Sequence, residues 1–122
     1  AENASIGQPE VGRGVMPGWG GTQKIPRLAG KQRAMELLLL GNRVKAAEAQ
    51  AMGLVNRVVP KDRVRAEAVE LAKRLARNPA LPVRLIKDAV LKGLETDIET
   101  GLEIEAEHFT EAFNASPWKK GD

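Results

Sequence analysis

The chain has 122 residues, 43% of them hydrophobic, and a formal net charge of +3, a length that suits one small domain with a real core, and no second domain is expected. It holds no cysteine and no run of eighteen apolar residues, so neither a disulfide framework nor a membrane-spanning helix is indicated, and a cytoplasmic protein without membrane partners is expected. Residues 11–92 carry 17 Lys/Arg against 6 Asp/Glu, yet no RNP, helix-turn-helix or zinc signature accompanies this basic body and only 3% of residues are aromatic, so solvated surface explains most of the charge and no nucleic-acid partner is expected.

Ile6 reads as the end of a short buried strand, and Pro9 fixes the backbone just before Glu10. The glycines Gly12, Gly14, Gly18 and Gly20 permit a tight loop with exposed amides. Glu10 is therefore expected at a strand end, where a rigid scaffold can aim a reactive side chain. Residues 22–28 and 31–40 read as two short helices separated by Gly30 and closed by Gly41, with Ala34, Met35, Leu37 and Leu38 on one apolar face. A third helix runs over 45–52 and ends at Gly53, and 54–59 reads as a strand stopped by Pro60.

Nine of the twelve glycines lie in residues 7–53, and long amphipathic stretches follow, so a compositional boundary falls near residue 60. Beyond it a helix is expected over about 62–77, with Val64, Ala68, Leu71 and Leu75 in one stripe, ended by Asn78-Pro79. The next helix tolerates Pro82 in its first turn and aligns Leu85, Ile86, Ala89 and Val90 until Gly93. Thr96-Asp97-Ile98-Glu99 has the form of a capping box, opening a helix on which Ile98, Leu102, Ala106, Phe109 and Phe113 recur on one face. All three stripes need partners.

Taken together, Ser5-Ile6-Gly7-Gln8-Pro9-Glu10, Pro17-Gly18-Trp19-Gly20-Gly21-Thr22-Gln23, Leu28-Ala29-Gly30, Ala34-Met35-Glu36, Ala46-Ala47-Glu48-Ala49, Gly53-Leu54-Val55-Asn56 and Val58-Val59-Pro60 resemble the enoyl-CoA hydratase/isomerase family, also called the crotonase family. The likeness covers nearly the whole chain and matches the family's C-terminal half. One of these segments alone would be weak; their shared order and spacing make the match specific. The resemblance implies an α/β crotonase-like spiral (the ClpP/crotonase fold) in the parent protein, with this part mainly α-helical and holding one or two short strands. Residues 1–60 would close the spiral core, and 61–122 would form a helical assembly region whose final helix is absent. It also implies packing of such helices across subunits, in a homotrimer or a hexamer.

The chemistry that the resemblance implies belongs to fatty acid metabolism and β-oxidation. Two backbone amides hold an acyl-CoA thioester oxygen, and two glutamates hold a water that adds across the 2,3 double bond. Coenzyme A is then part of the substrate, and no separate cofactor is expected. Glu10 falls on one of the two glutamate positions. The amide of Gly18 falls where the family places a donor toward the same water. Trp19, where many relatives have a small residue, would narrow or line the acyl pocket, pointing to a short or aromatic acyl group. By the same resemblance the other glutamate and the oxyanion amides precede Ala1, so this chain alone is not expected to be active. The isomerase branch, which shifts a 3-enoyl double bond and can use the Glu10 position as sole base, is the nearest alternative. A non-catalytic helical oligomerisation module is the alternative from another class.

Without the flanking match, Glu10 reads as a surface carboxylate, and Gly18, Gly20 and Gly21 as turn residues opening a helix. His108, the only histidine, reads as an exposed helix residue, and Glu103, Glu105, Glu107 and Glu111 as solvated charge, so no metal is expected. Residues 113–121 resemble the family's linker to its last helix, although Pro117, Lys120 and Asp122 depart from its usual pattern.

Overall fold

A computed structural model describes residues 1–117. Two compact units divide the chain at Ala1–Ala68 and Val69–Asp122. The expected departures at Lys120 and Asp122 lie outside the described residues.

In the first unit, β1 (Ser5–Gly7) and β2 (Arg43–Lys45) pair antiparallel, with Ile6 opposite Val44 and Gly7 opposite Arg43. A 3-10 turn over Pro9–Arg13 follows β1, and α1 (Gly21–Ala29), α2 (Lys31–Leu40) and α3 (Ala46–Ala51) complete the unit. Gly30 separates α1 from α2, and Gly41 ends α2 with φ 66° while its amide donates to Leu37 O at 3.1 Å, a left-handed cap open to glycine. The core consists of Ile25, Ala34, Leu37, Leu38, Val44 and Ala49, with Ile6, Met52, Leu54 and Val55 packed against it.

The strand expected over 54–59 does not form. Gly53 turns the chain at φ 82°, and Leu54 N donates to Ala49 O at 2.9 Å, which closes off the end of α3. The carbonyl of Asn56 accepts from the Gln50 side chain at 3.2 Å, and Val59 O accepts a single backbone bond from Glu2 at 2.9 Å. A strand needs a ladder, and the branched residues here signal burial against the core instead. The strand that does pair, β2, has only Val44 as an apolar residue and so carries no comparable signal.

The 3-10 turn Lys61–Arg63 leads into α4 (Val64–Ala76), within which the boundary between the two units falls. In the second unit α5 (Ala80–Gly93) and α6 (Ile98–Ala115) pack as a helical hairpin. Leu85 is buried in this hairpin, and a Cβ added at Gly101 would lie 3.6 Å from Gly93 Cα, so the two backbones come close where neither has a side chain. Arg84 and Glu111 form a 2.9 Å ion pair.

Two expectations for this hairpin are corrected. The N-cap of α6 is Asp97 rather than Thr96: Asp97 Oδ1 accepts from Thr100 N at 2.9 Å and Oδ2 from Thr100 Oγ1 at 2.8 Å. The Thr96 hydroxyl is instead engaged with the carbonyls of Gly93 and Asp97. The half-buried positions of α6 are Gly101, Ile104, His108 and Ala112, while Ile98, Leu102, Phe109 and Phe113 of the expected stripe stay exposed, with Phe109 also lining a cleft beside Leu85, Ile86 and Val90 of α5. Finally, His108 is not an exposed residue: its side chain is 19% accessible and Nε2 lies 2.7 Å from Asp88 Oδ2, an oxygen also bound by Lys92 Nζ at 2.8 Å.

Candidate active site

Glu10 lies three residues beyond the end of β1, in the first turn of the Pro9–Arg13 helix, where Pro9 at the first position needs no amide donor. Its carbonyl accepts from Val15 N at 3.2 Å, which folds the following segment back over the turn. Its carboxylate is the notable group. Oε2 is closed off from solvent and has no hydrogen-bond partner among the described residues. A buried carboxylate oxygen without a donor is costly, and the cost falls when a donor reaches it.

The loop from Gly14 to Gly20 carries the other expected residues. Only Gly14 (φ 74°) and Gly20 (φ 90°) use the left-handed conformation that glycine permits; Gly12 and Gly18 do not. Gly20 O receives Gln23 N at 3.1 Å and Lys24 N at 2.8 Å, which starts α1. A Cβ at Gly18 would meet nothing within 4 Å, and the Gly18 amide donates to no backbone acceptor among the described residues. Trp19 is 95% exposed. Val11 and Pro17, the neighbours of Glu10 and Gly18 in the chain, line a mostly apolar cleft of about 420 Å³ that Met16, Met35 and Leu39 also wall. Glu10 and Gly18 thus bracket one loop, each next to a wall of that cleft. Among the described residues no group of three His, Asp or Glu side chains is placed to hold a metal ion.

The family model described as enoyl-CoA hydratase/isomerase matches residues 1–122. The chain belongs to the enoyl-CoA hydratase/isomerase family. A short-chain-enoyl-CoA hydratase of Clostridioides difficile is 47% identical over 118 residues, covering 97% of this chain and 76% of that protein. A crotonyl-CoA hydratase of Syntrophomonas wolfei is 43% identical over 121 residues, covering 99% of this chain and 46% of that protein. A crystal structure of an enoyl-CoA hydratase from Bacillus anthracis superposes with a TM-score of 0.90 at 39% identity, over 98% of this chain and 46% of that one. The fold is therefore that of crotonase-type hydratases, and the chain spans about half the length of most of these relatives.

Within this family frame, sequence reasoning found the loop but missed what holds it. A Cβ at Gly7 would lie 2.6 Å from Asn42 O and 2.9 Å from Arg43 Cα, and one at Gly41 would lie 3.0 Å from Val11 Cγ1 and 3.5 Å from Pro9 Cα. Those approaches join segments thirty or more residues apart, and no local pattern announces them.

Proposed function

We propose that these residues are the C-terminal half of an enoyl-CoA hydratase that adds water across the 2,3 double bond of a short-chain enoyl-CoA thioester, with Glu10 as one of its two water-activating carboxylates. The observation that carries this reading is the Oε2 atom of Glu10, buried and without a partner in a segment that matches the family's G-x-P-E pattern. A water bridging Glu10 and the unengaged amide of Gly18 would supply the missing donor to that oxygen and be oriented by it, which is the arrangement that general base catalysis needs. Trp19 stands in the same loop with its ring free, and we assign it to the wall of the acyl pocket. The names of the relatives favour hydration of a short acyl chain over isomerisation. Coenzyme A enters as part of the substrate. Assembly into a homotrimer or hexamer, in the cytoplasm, completes the proposal.

The test is hydration of crotonyl-CoA by the complete polypeptide, followed by loss of the enoyl-thioester absorbance. Glu10→Gln keeps the shape and removes the base, and turnover is expected to fall by about a hundredfold or more with the assembly unchanged. Near-normal turnover in Glu10→Gln would remove Glu10 from the mechanism. Conversion of a 3-enoyl-CoA in preference to hydration would replace this reading with the isomerase one.

A further inference from the structure

Glu10 Oε2 has no hydrogen bond to aim it. Its direction must then come from where the backbone of residues 8–11 is held, and the structure shows what holds it. The corner that links α2 to β2, Gly41 to Arg43, lies against the segment from Gly7 to Val11 with almost no clearance. At Gly7 the space for a Cβ is already taken by Asn42 O at 2.6 Å, Arg43 Cγ at 2.7 Å and Arg43 Cα at 2.9 Å, two of them backbone atoms that cannot swing aside. At Gly41 a Cβ would meet Val11 Cγ1 at 3.0 Å, Pro9 Cα at 3.5 Å and Gln8 O at 3.6 Å. The β1–β2 register, with Gly7 opposite Arg43, fixes one end of this contact, and the left-handed Gly41 at φ 66° fixes the other. Val11 is β-branched and has few rotamers through which to yield.

We infer that Gly7 and Gly41 are positioning residues for Glu10: the two missing side chains let the α2–β2 corner clasp the Glu10 turn, and this clasp sets the angle at which the carboxylate meets the reacting water. The inference rests on the hydratase reading of Glu10. It treats Gly7 and Gly41 as parts of the catalytic geometry that touch no substrate, so they govern turnover more than binding. A displacement of about 1 Å is enough to cost on the order of a hundredfold in a well-aligned reaction.

The experiment compares steady-state hydration of crotonyl-CoA by Gly7→Ala, Gly41→Ala, Glu10→Gln and Gly30→Ala in the complete polypeptide. Gly30 is the control: it has φ 81°, yet a Cβ there would meet nothing within 4 Å, so Gly30→Ala imposes backbone strain without touching the clasp. Gly7→Ala and Gly41→Ala are expected to lower kcat by roughly tenfold or more with KM within about twofold, whereas Gly30→Ala lowers the melting temperature and leaves kcat as it was. Adding Val11→Ala to Gly41→Ala removes the 3.0 Å contact and should restore much of kcat, a rescue that general destabilisation does not produce. If the glycine variants do not fold, Val11→Ala alone decides: it slackens the clasp without a clash and should lower kcat. Gly41→Ala turning over like Gly30→Ala, or Val11→Ala turning over like wild type, overturns the inference. An active Glu10→Gln instead refutes the hydratase reading itself, so the two failures are distinguishable.

Discussion

Two residues of the Gly-rich loop differ in how they relate to the rest of the protein, and that difference predicts how they respond to change. Glu10 buries an oxygen that nothing satisfies, a local cost of the kind that persists where a ligand relieves it. Trp19 is 95% exposed and contributes little packing. Trp19→Ala should therefore change stability by no more than about 0.5 kcal/mol, measured in urea melts, while widening the proposed acyl wall. The ratio of kcat/KM for a six-carbon enoyl-CoA to that for crotonyl-CoA should then rise by about tenfold or more, within the roughly 10–200-fold range that a methylene difference can give in an apolar pocket. An unchanged ratio places Trp19 away from the acyl chain. Both positions were legible in the sequence because each lies in a short motif read locally. His108 was not: its partner Asp88 is twenty residues away, and the pair exists only because α5 and α6 fold against each other.

At the scale of elements, the helices were legible from glycine punctuation and apolar period, since Gly30, Gly41 and Gly53 stand where α1, α2 and α3 end. Of the strands, β1 was legible at Ile6 but β2 was not, because three residues with only Val44 apolar leave too little sequence to alternate, and 54–59 is apolar for core packing without a ladder. The cap of α6 was misread by one residue because Thr96 and Asp97 both fit the composition of a cap; geometry favours Asp97, whose two carboxylate oxygens both reach Thr100. Its ionisation makes the assignment testable. The backbone amide of Thr100, then its hydroxyl, hold the Asp97 carboxyl below its ordinary 3.8. Bonds from Lys92 and then His108 do the same for Asp88. A carboxyl whose folded pKa is depressed stabilises the fold above the unfolded value and loses that contribution as pH falls through the folded value. Asp97→Ala should accordingly melt at a lower temperature than wild type at neutral pH, with the gap narrowing as pH is taken below 3.8. Thr96→Ala should show no such narrowing. A gap that stays constant down to acid pH would assign the cap to something other than the ionised carboxylate.

For the whole molecule, the telling feature is an apolar surface that the described residues leave uncovered. On α6 the side chains of Ile98 (76% exposed), Leu102 (54%) and Phe109 (62%) follow one another at helical spacing, and Phe113 stacks on Phe109 with ring centroids 5.8 Å apart. No described helix is long and apolar enough to cross a membrane, so a bilayer-spanning role does not account for this face. An exposed apolar patch rimmed by polar residues marks an interaction site, and Glu99, Glu103 and Glu107, which follow one another along one edge of the stripe, disfavour burial on that side. Because Phe109 also lines a cleft with Leu85, Ile86 and Val90 of α5 while Leu102 does not, a charge placed at Leu102 should disrupt the proposed assembly without unfolding the hairpin. Leu102→Glu is expected to lower the mass seen in sedimentation velocity while leaving the helical circular dichroism signal unchanged, and Glu111→Ala, which breaks the Arg84 ion pair within the hairpin, should leave that mass as it is. An undiminished mass in Leu102→Glu would mean that copies associate through some other surface or not at all. A reduced mass with acyl-CoA affinity intact would separate assembly from substrate binding.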